Sequence, residues 1–235
     1  MLVQAVFLLA VSAAGTLAQR PSEHRACNQT ELNMCQRAFN KALGITETLG
    51  VNSSAQLADA LESSFGHDGT NGLALVCHKV RGFKSCFTNP REYDECLLNP
   101  LGLLGDDSRP PQSTGISEKN ARNYVRLFAQ LDFACGPGFS HFQNANENVL
   151  TKNCAADVFE HNLPSLRDCQ DAFERSRAVD PQDTCDYAMQ SANCYMFLFR
   201  KCKEQGMWFG CEYQRTGLQT AYGECSQNFC KCQFP

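Results

Sequence analysis

The fold of this chain is indicated most clearly by residues 118–133, EKNARNYVRLFAQLDF. Apolar side chains recur there at helical spacing, and they fall on one face of an α-helix: Tyr124, Leu127, Phe128 and Leu131. Ser117 precedes the segment as an N-cap residue, and Gly136 follows it as a helix end. The segment therefore predicts an amphipathic α-helix that buries one face.

The same periodicity recurs along the chain. Three further apolar faces are formed by Leu57, Leu61 and Phe65, by Leu73, Val76, Val80 and Phe83, and by Ala188, Ala192, Tyr195 and Phe199. Clean alternation with a period of two is rare, so a β-sheet is not supported. Gly206 indicates the end of a further helix. The predicted fold class is all-α, a helical bundle stapled by disulfides.

Cysteine content decides the chemistry of the chain. A secreted chain with fifteen cysteines is expected to form a disulfide framework rather than metal sites. The pairing cannot be read from sequence. The expected disulfide cysteines are Cys27, Cys35, Cys77, Cys86, Cys96, Cys135, Cys154, Cys169, Cys185, Cys194, Cys202, Cys211, Cys225, Cys230 and Cys232.

Two cysteine pairs share a spacing of nine residues, Cys77 with Cys86 and Cys185 with Cys194. In a continuous helix this spacing places the two side chains on opposite faces. Such a pair cannot bond internally. Each pair is therefore expected to join one helix to two neighbours.

The odd number of cysteines leaves one thiol after seven bonds. One interpretation is a covalent homodimer through the unpaired cysteine, and the other is a buried or adducted free thiol. The residues alone leave both open. Cys230 and Cys232 are too close for an ordinary mutual bond, so each is expected to bond elsewhere.

A short motif suggests an internal repeat. The sequence CQRAF at residues 35–39 resembles CQDAF at residues 169–173. Each motif is followed by one of the nine-residue cysteine pairs and then by a further cysteine, Cys96 or Cys202. The chain is thus one compact unit or two pseudo-repeated helical modules.

The expected organisation has four parts. Residues 1–18, MLVQAVFLLAVSAAGTLA, resemble a secretory signal peptide with a short apolar run and small residues before the cleavage site. Residues 19–98 form an N-terminal helical cysteine-rich module, and residues 118–235 form a C-terminal one. Residues 99–117, rich in Pro, Gly and Ser, are predicted to form a surface linker.

A signal peptide implies secretion to an extracellular location, and no later stretch resembles a membrane span. Two sequons, at Asn28 and Asn52, are predicted N-glycosylation sites. The net charge is −4 and the charges are scattered without a basic stripe, so nucleic acid is not an expected partner.

No residue pattern predicts a catalytic or metal site, and no cofactor is expected. The five histidines lack a metal-ligand spacing. His67-Asp68 and the segment at residues 135–139, CGPGF, faintly resemble parts of secreted phospholipases A2, but their order along the chain is reversed. Two ordinary turns are the better interpretation.

Aromatic residues concentrate near the C-terminal third, including the only tryptophan, Trp208, and its neighbour Phe209. They are candidate partner-binding residues on an apolar surface. The alternative is core packing between two helices.

The segment at residues 131–138, LDFACGPG, continues into Phe142 and Asn144. With the spacing of Cys27 and Cys35 it resembles a secreted, cysteine-rich helical domain of nematodes and other invertebrates, over about residues 27–154. The function of that family is largely unassigned. The architecture is also similar to the helical cysteine-rich modules of growth-factor co-receptors. The resemblance implies a secreted helical fold and supplies no catalytic residues.

The function that these observations favour is that of a secreted, non-enzymatic extracellular binding protein acting through a disulfide-stabilised helical surface. Its expected partner is an extracellular protein or matrix component. The alternative is a structural component of an extracellular matrix, cuticle or shell organic matrix. A third reading is a secreted phospholipase-like hydrolase or a toxin.

Overall fold

A computed structural model describes residues 26–105, 115–146, 153–225 and residue 232. The predicted signal peptide, residues 1–18, lies outside these ranges. Over the ranges described, the chain forms helices and no strand. The α-helices are α1 (Gln29–Leu43), α2 (Ser54–Gly66), α3 (Thr70–Lys84), α4 (Pro90–Leu97), α5 (Pro100–Leu104), α6 (Glu118–Cys135), α7 (Phe139–Asn146), α8 (Cys154–His161), α9 (Leu163–Val179), α10 (Thr184–Leu198) and α11 (Lys203–Ala221).

The prediction of an all-α fold is confirmed. Every apolar residue of the four predicted helical faces is buried, which is the condition under which an amphipathic helix is stable. Ser117 caps α6 because its hydroxyl accepts a hydrogen bond from the backbone N–H of Asn120 at 3.2 Å. Gly206 corrects one expectation, since it lies in the first turn of α11 and not at a helix end.

Helix α6 lies at the centre of the molecule and is buried on most of its surface. Helix α11 packs along it at close range. Gly217 makes this approach feasible, because a Cβ atom at that position would lie 2.6 Å from Cγ of Gln130 and 2.8 Å from Cγ of Arg126. A larger residue would push the two helices apart. The close packing of α6 and α11 therefore sets the distance between the two helices that form the candidate site.

Buried polar side chains fix the contact of α6 with α9 and α11. Nη1 of Arg126 donates to Oε1 of Gln170 at 2.9 Å, and Nε2 of Gln130 donates to Oε1 of Gln214 at 2.7 Å. Nε2 of Gln214 donates in turn to Oε1 of Gln170 at 2.8 Å. Burial of a polar group without a hydrogen-bond partner destabilises the folded state, so this network favours one alignment of the three helices.

Seven intramolecular disulfides staple the bundle: Cys27–Cys96, Cys35–Cys86, Cys77–Cys135, Cys154–Cys202, Cys169–Cys194, Cys185–Cys225 and Cys211–Cys232. Both nine-residue pairs bond outward, to two different partners each, as predicted. Cys232 also bonds elsewhere than to Cys230. These bonds use fourteen of the fifteen cysteines, and Cys230 lies outside the described residues.

The connectivity of the disulfides repeats along the chain. From Cys27 to Cys135, the first cysteine bonds the fifth, the second bonds the fourth, and the third bonds the sixth. Seven cysteines lie from Cys154 to Cys225, and the six other than Cys211 follow the same order of pairing. Six cysteines allow fifteen connectivities, so identical pairing supports the interpretation of two related helical units. The bond Cys211–Cys232 has no counterpart in the first unit.

The first set of three bonds ends at Cys135 and the second begins at Cys154, so the change from one set to the next lies downstream of the predicted linker at 99–117. Part of that linker is also not a surface excursion. Pro100–Leu104 forms α5, Leu103 is fully buried, and the backbone N–H of Cys27 donates to the carbonyl of Gly102 at 2.9 Å. Residues 106–114 lie outside the described ranges. The larger core cluster draws on both units.

Candidate functional site

The two predicted partner-binding residues lie in different surroundings. Phe209 is fully buried, so its assignment to a binding surface is corrected. Its ring lies 5.2 to 5.8 Å, between centroids, from four other aromatic rings, which fill the space around it: Phe133, Phe142, Phe199 and Tyr213. Phe209 therefore belongs to the core, the alternative that the sequence left open.

Trp208 is half-buried and remains accessible from one side. Its ring lies 3.9 Å from the imidazole of His141 and 5.6 Å from the ring of Phe133, measured between centroids. Nδ1 of His141 is hydrogen-bonded to Oε1 of Gln205, one turn before Trp208 on α11. These contacts from α6, α7 and α11 hold the indole in one orientation.

Trp208 lines an open groove of about 480 Å³ between α6 and α11. Its wall on the α6 side carries Ala129, Asp132 and Phe133. Leu98, the residue after α4, and Pro137, in the turn after α6, also line it. The α11 wall carries the remaining lining residues, Trp208, Glu212, Arg215, Thr216 and Thr220. Five of the ten lining residues are polar or charged, but most of the surface that they expose to the groove is apolar carbon.

The α11 wall follows from a simple spacing. Trp208, Glu212, Thr216 and Thr220 are each four residues apart, so they lie along one face of the helix. This spacing is visible in the sequence. It is the signal that could have identified Glu212, Thr216 and Thr220 as candidate binding residues together with Trp208. The α6 wall has no such signal, because which face of α6 meets α11 depends on tertiary packing.

The carboxylate of Asp132 on the α6 wall already has its partners. Nζ of Lys84 lies 2.8 Å from Oδ1 of Asp132, and the hydroxyl of Tyr93 donates to the same oxygen at 2.7 Å. Lys84 also lies over the ring of Tyr93, 4.6 Å from its centroid. Burial, together with the charge of Asp132, raises the pKa of Tyr93 well above its ordinary value. Tyr93 therefore stays a hydrogen-bond donor to Asp132.

The charged side chains of the α11 wall are likewise bonded to neighbouring protein groups. Nη2 and Nε of Arg215 donate to Oε2 of Glu212 at 2.5 and 2.9 Å, and Nη1 donates to Oε1 of Gln219 at 2.7 Å. Oε1 of Glu212 accepts a hydrogen bond from the backbone N–H of Cys232 at 3.4 Å. The disulfide that lies outside the repeated pattern, Cys211–Cys232, thus anchors a C-terminal residue at the wall of the groove.

The residues with a phospholipase-like pattern form turns, as the sequence analysis favoured. His67 and Asp68 lie exposed between α2 and α3, and Oδ2 of Asp68 accepts a hydrogen bond from Nδ2 of Asn71 at 3.0 Å. The segment that begins at Cys135 turns from α6 into α7, and Cys135 itself is bonded to Cys77.

Both sequon asparagines are exposed. Oδ1 of Asn28 caps α1 by accepting a hydrogen bond from the backbone N–H of Glu31 at 3.3 Å. N-glycosylation uses the Nδ2 atom, so this capping bond is compatible with a glycan. Asn52 lies in a short turn of 3₁₀-helix before α2.

A group of potential metal ligands on α8 escaped the sequence analysis. Carboxylate oxygens of Asp157 and Glu160 and a ring nitrogen of His161 all lie within 4.8 Å of one another. Their spacing of three and four residues is the signal that could have revealed it. Glu160 and His161 are exposed, and exposed acidic groups of this kind are common without an ion. The group gives no further support for a metal site.

Across the helices that the structure describes, none combines the length and apolar character needed to cross a membrane. The comparisons with known proteins leave the resemblance to the invertebrate secreted domain a prediction. No family model, curated protein or solved structure matches this chain.

Proposed function

We propose that this chain is a secreted extracellular binding protein and that the groove at Trp208 is its binding site. The observation that carries the proposal is the groove itself, which is an open, largely apolar concavity. It contains Trp208, the only tryptophan of the chain, which is half-buried. Binding sites for small molecules are typically concave and apolar, with volumes of about 300 to 1,000 Å³. A groove of about 480 Å³ falls within that range.

The walls of the groove are held before any ligand arrives. Cys77–Cys135 ties the end of α6 to α3, and Cys211–Cys232 joins α11 to a residue near the C-terminus. The aromatic contacts of Trp208 restrict its side chain as well. A site that is rigid in the free protein loses little conformational entropy on binding, which favours affinity.

Secretion and glycosylation belong to the same proposal. Seven intramolecular disulfides are typical of proteins that fold in an oxidising compartment. Expression in a secretory host should release a protein that begins at Gln19. Removal of N-glycans should increase its mobility on a gel, and the double variant Asn28→Gln/Asn52→Gln should not respond.

The binding site is tested with N-phenyl-1-naphthylamine, an uncharged dye whose emission rises in apolar surroundings. We expect saturable binding by the wild-type protein. Thr216→Phe places a ring at a half-exposed position of the groove wall and should abolish binding by filling the space. Val179→Phe adds the same ring at a position on α9 that is 86% exposed and outside the groove, and it should bind the dye normally.

Circular dichroism of both variants should match the wild type, since neither substitution alters the core. The proposal fails if the wild-type protein does not bind the dye. It fails equally if Thr216→Phe binds the dye as tightly as Val179→Phe does.

A further inference from the structure

We infer that the groove selects small, uncharged apolar molecules, such as long-chain alcohols, over organic anions and cations of the same length. This inference rests on the proposed function and adds the chemical class of the ligand. It follows from how the charged side chains of the groove are already paired.

Three charged residues line the groove, and their formal charges are balanced locally. Asp132 is paired with Lys84 and accepts a further hydrogen bond from Tyr93. Glu212 is paired with Arg215. Each charge that faces the groove therefore has a protein partner of opposite sign within 2.8 Å.

The hydrogen-bonding capacity of these groups is also largely used. Arg215 donates through all three of its nitrogens, to Glu212 and to Gln219. Glu212 accepts from Arg215 with one oxygen and from the backbone of Cys232 with the other. A charged head group that entered the groove would have to break one of these contacts in order to gain its own.

The remaining lining provides no counter-charge for an ion. Five residues present apolar atoms, Leu98, Ala129, Phe133, Pro137 and Trp208, and the other two are the uncharged Thr216 and Thr220. The hydroxyl of Thr220 already donates to the carbonyl of Thr216 at 2.9 Å. Transfer of a charged group from water to such surroundings costs free energy unless a counter-charge is provided. An uncharged molecule pays no such cost and gains from burial of its apolar surface. Its hydroxyl group can stay at the open side of the groove, in water.

The experiment compares three ligands that share a ten-carbon chain: 1-decanol, decanoate and decylammonium. Each is titrated against the protein with N-phenyl-1-naphthylamine bound, at pH 7, and displacement of the dye is measured. We expect decanol to reach half-displacement at a concentration at least about tenfold lower than either ion. Tenfold corresponds to about 1.4 kcal/mol.

Two variants test whether the pairing of Glu212 with Arg215 determines this selectivity. Arg215→Met leaves Glu212 without its cationic partner, so the affinity for decylammonium should rise and that for decanoate should fall. Glu212→Gln leaves Arg215 without its anionic partner, so the changes should have the opposite signs. Arg200→Met removes the same charge from an exposed position outside the groove and should change neither.

Opposite shifts in the two groove variants cannot result from general loss of structure, which would weaken both ions together. The inference is overturned if the dye binds but either ion displaces it as well as decanol does. It is also overturned if Arg215→Met and Glu212→Gln shift the ion preference in the same direction. Failure of the wild-type protein to bind the dye overturns the proposed function, and this inference with it.

Discussion

Replacement of Phe209 by alanine should destabilise the protein far more than replacement of the adjacent Trp208. Phe209 is fully buried, with four aromatic rings within 5.8 Å of its centroid. Buried Phe→Ala substitutions cost about 3–5 kcal/mol because the transfer free energy is lost and a cavity remains. Rings that are themselves packed and stapled cannot collapse into that cavity, so we expect a cost of about 4 kcal/mol.

Trp208→Ala should cost about 2 kcal/mol. The indole is partly buried and packs on Phe133 and His141, and its removal opens the groove to water instead of leaving a closed cavity. Only the transfer free energy is then lost, which is about 1.5–3 kcal/mol for a buried apolar side chain. For a chain of this size 1 kcal/mol corresponds to about 2–4 °C in Tm. The two variants should therefore melt about 8–16 °C and 4–8 °C below the wild type.

The assay is thermal unfolding followed by circular dichroism at 222 nm, with the disulfides intact. Equal losses for the two variants, or a larger loss for Trp208→Ala, would contradict the division between a core phenylalanine and a groove tryptophan. In the dye assay, Trp208→Ala should lower affinity at least about tenfold although the protein remains folded at 25 °C.

Three further predictions concern ionisation, thiols and cross-linking. Burial raises the pKa of all six tyrosines above the ordinary value, and that of Tyr195 to about 12. Five of the six are buried, so folding stability is complete below about pH 10 and falls as the pH rises towards 12. Absorbance at 295 nm should show the half-exposed Tyr187 ionising in the folded protein and the other five only with loss of helix. The seven bonds leave Cys230 as the cysteine without an assigned partner, so Cys230→Ser should abolish whichever of two products the wild-type protein shows, a titratable thiol or a covalent dimer on a non-reducing gel; its persistence would show that another cysteine is unpaired. Cys211→Ser/Cys232→Ser opens a loop of 21 residues and should lower the free energy of unfolding by about 3 kcal/mol with an unchanged helical spectrum.

The helical faces were predictable because their signal is local. Leu57, Leu61 and Phe65 bury one side of α2 whatever the partner helix is, so spacing alone identifies them. The disulfide framework was equally predictable, because a large number of cysteines indicates it without any knowledge of the fold. The pairing was not, because it depends on which helices meet in space, and the two units differ in the lengths between their cysteines.

The groove was only half predictable. Trp208 and Phe209 are adjacent aromatic residues, and about 100° of rotation around α11 places one in the groove and the other in the core. The sequence does not show which face of α11 meets the core, so it does not show which of the two residues is buried. The structural role of a glycine was ambiguous for a related reason, because it depends on what lies next to that glycine in the fold. Gly136 ends a helix, whereas Gly217 lets α11 approach α6 closely. The neutrality of the groove depends on Lys84, which is remote in sequence from Asp132.

The most direct test of the central claim is a crystal structure of the protein soaked with 10-bromo-1-decanol, in which anomalous scattering locates the bromine. The account predicts one dominant bromine peak in the groove between α6 and α11, with the alkyl chain against Trp208 and Phe133. A groove empty of ligand, with bromine bound at another surface or nowhere, would contradict it.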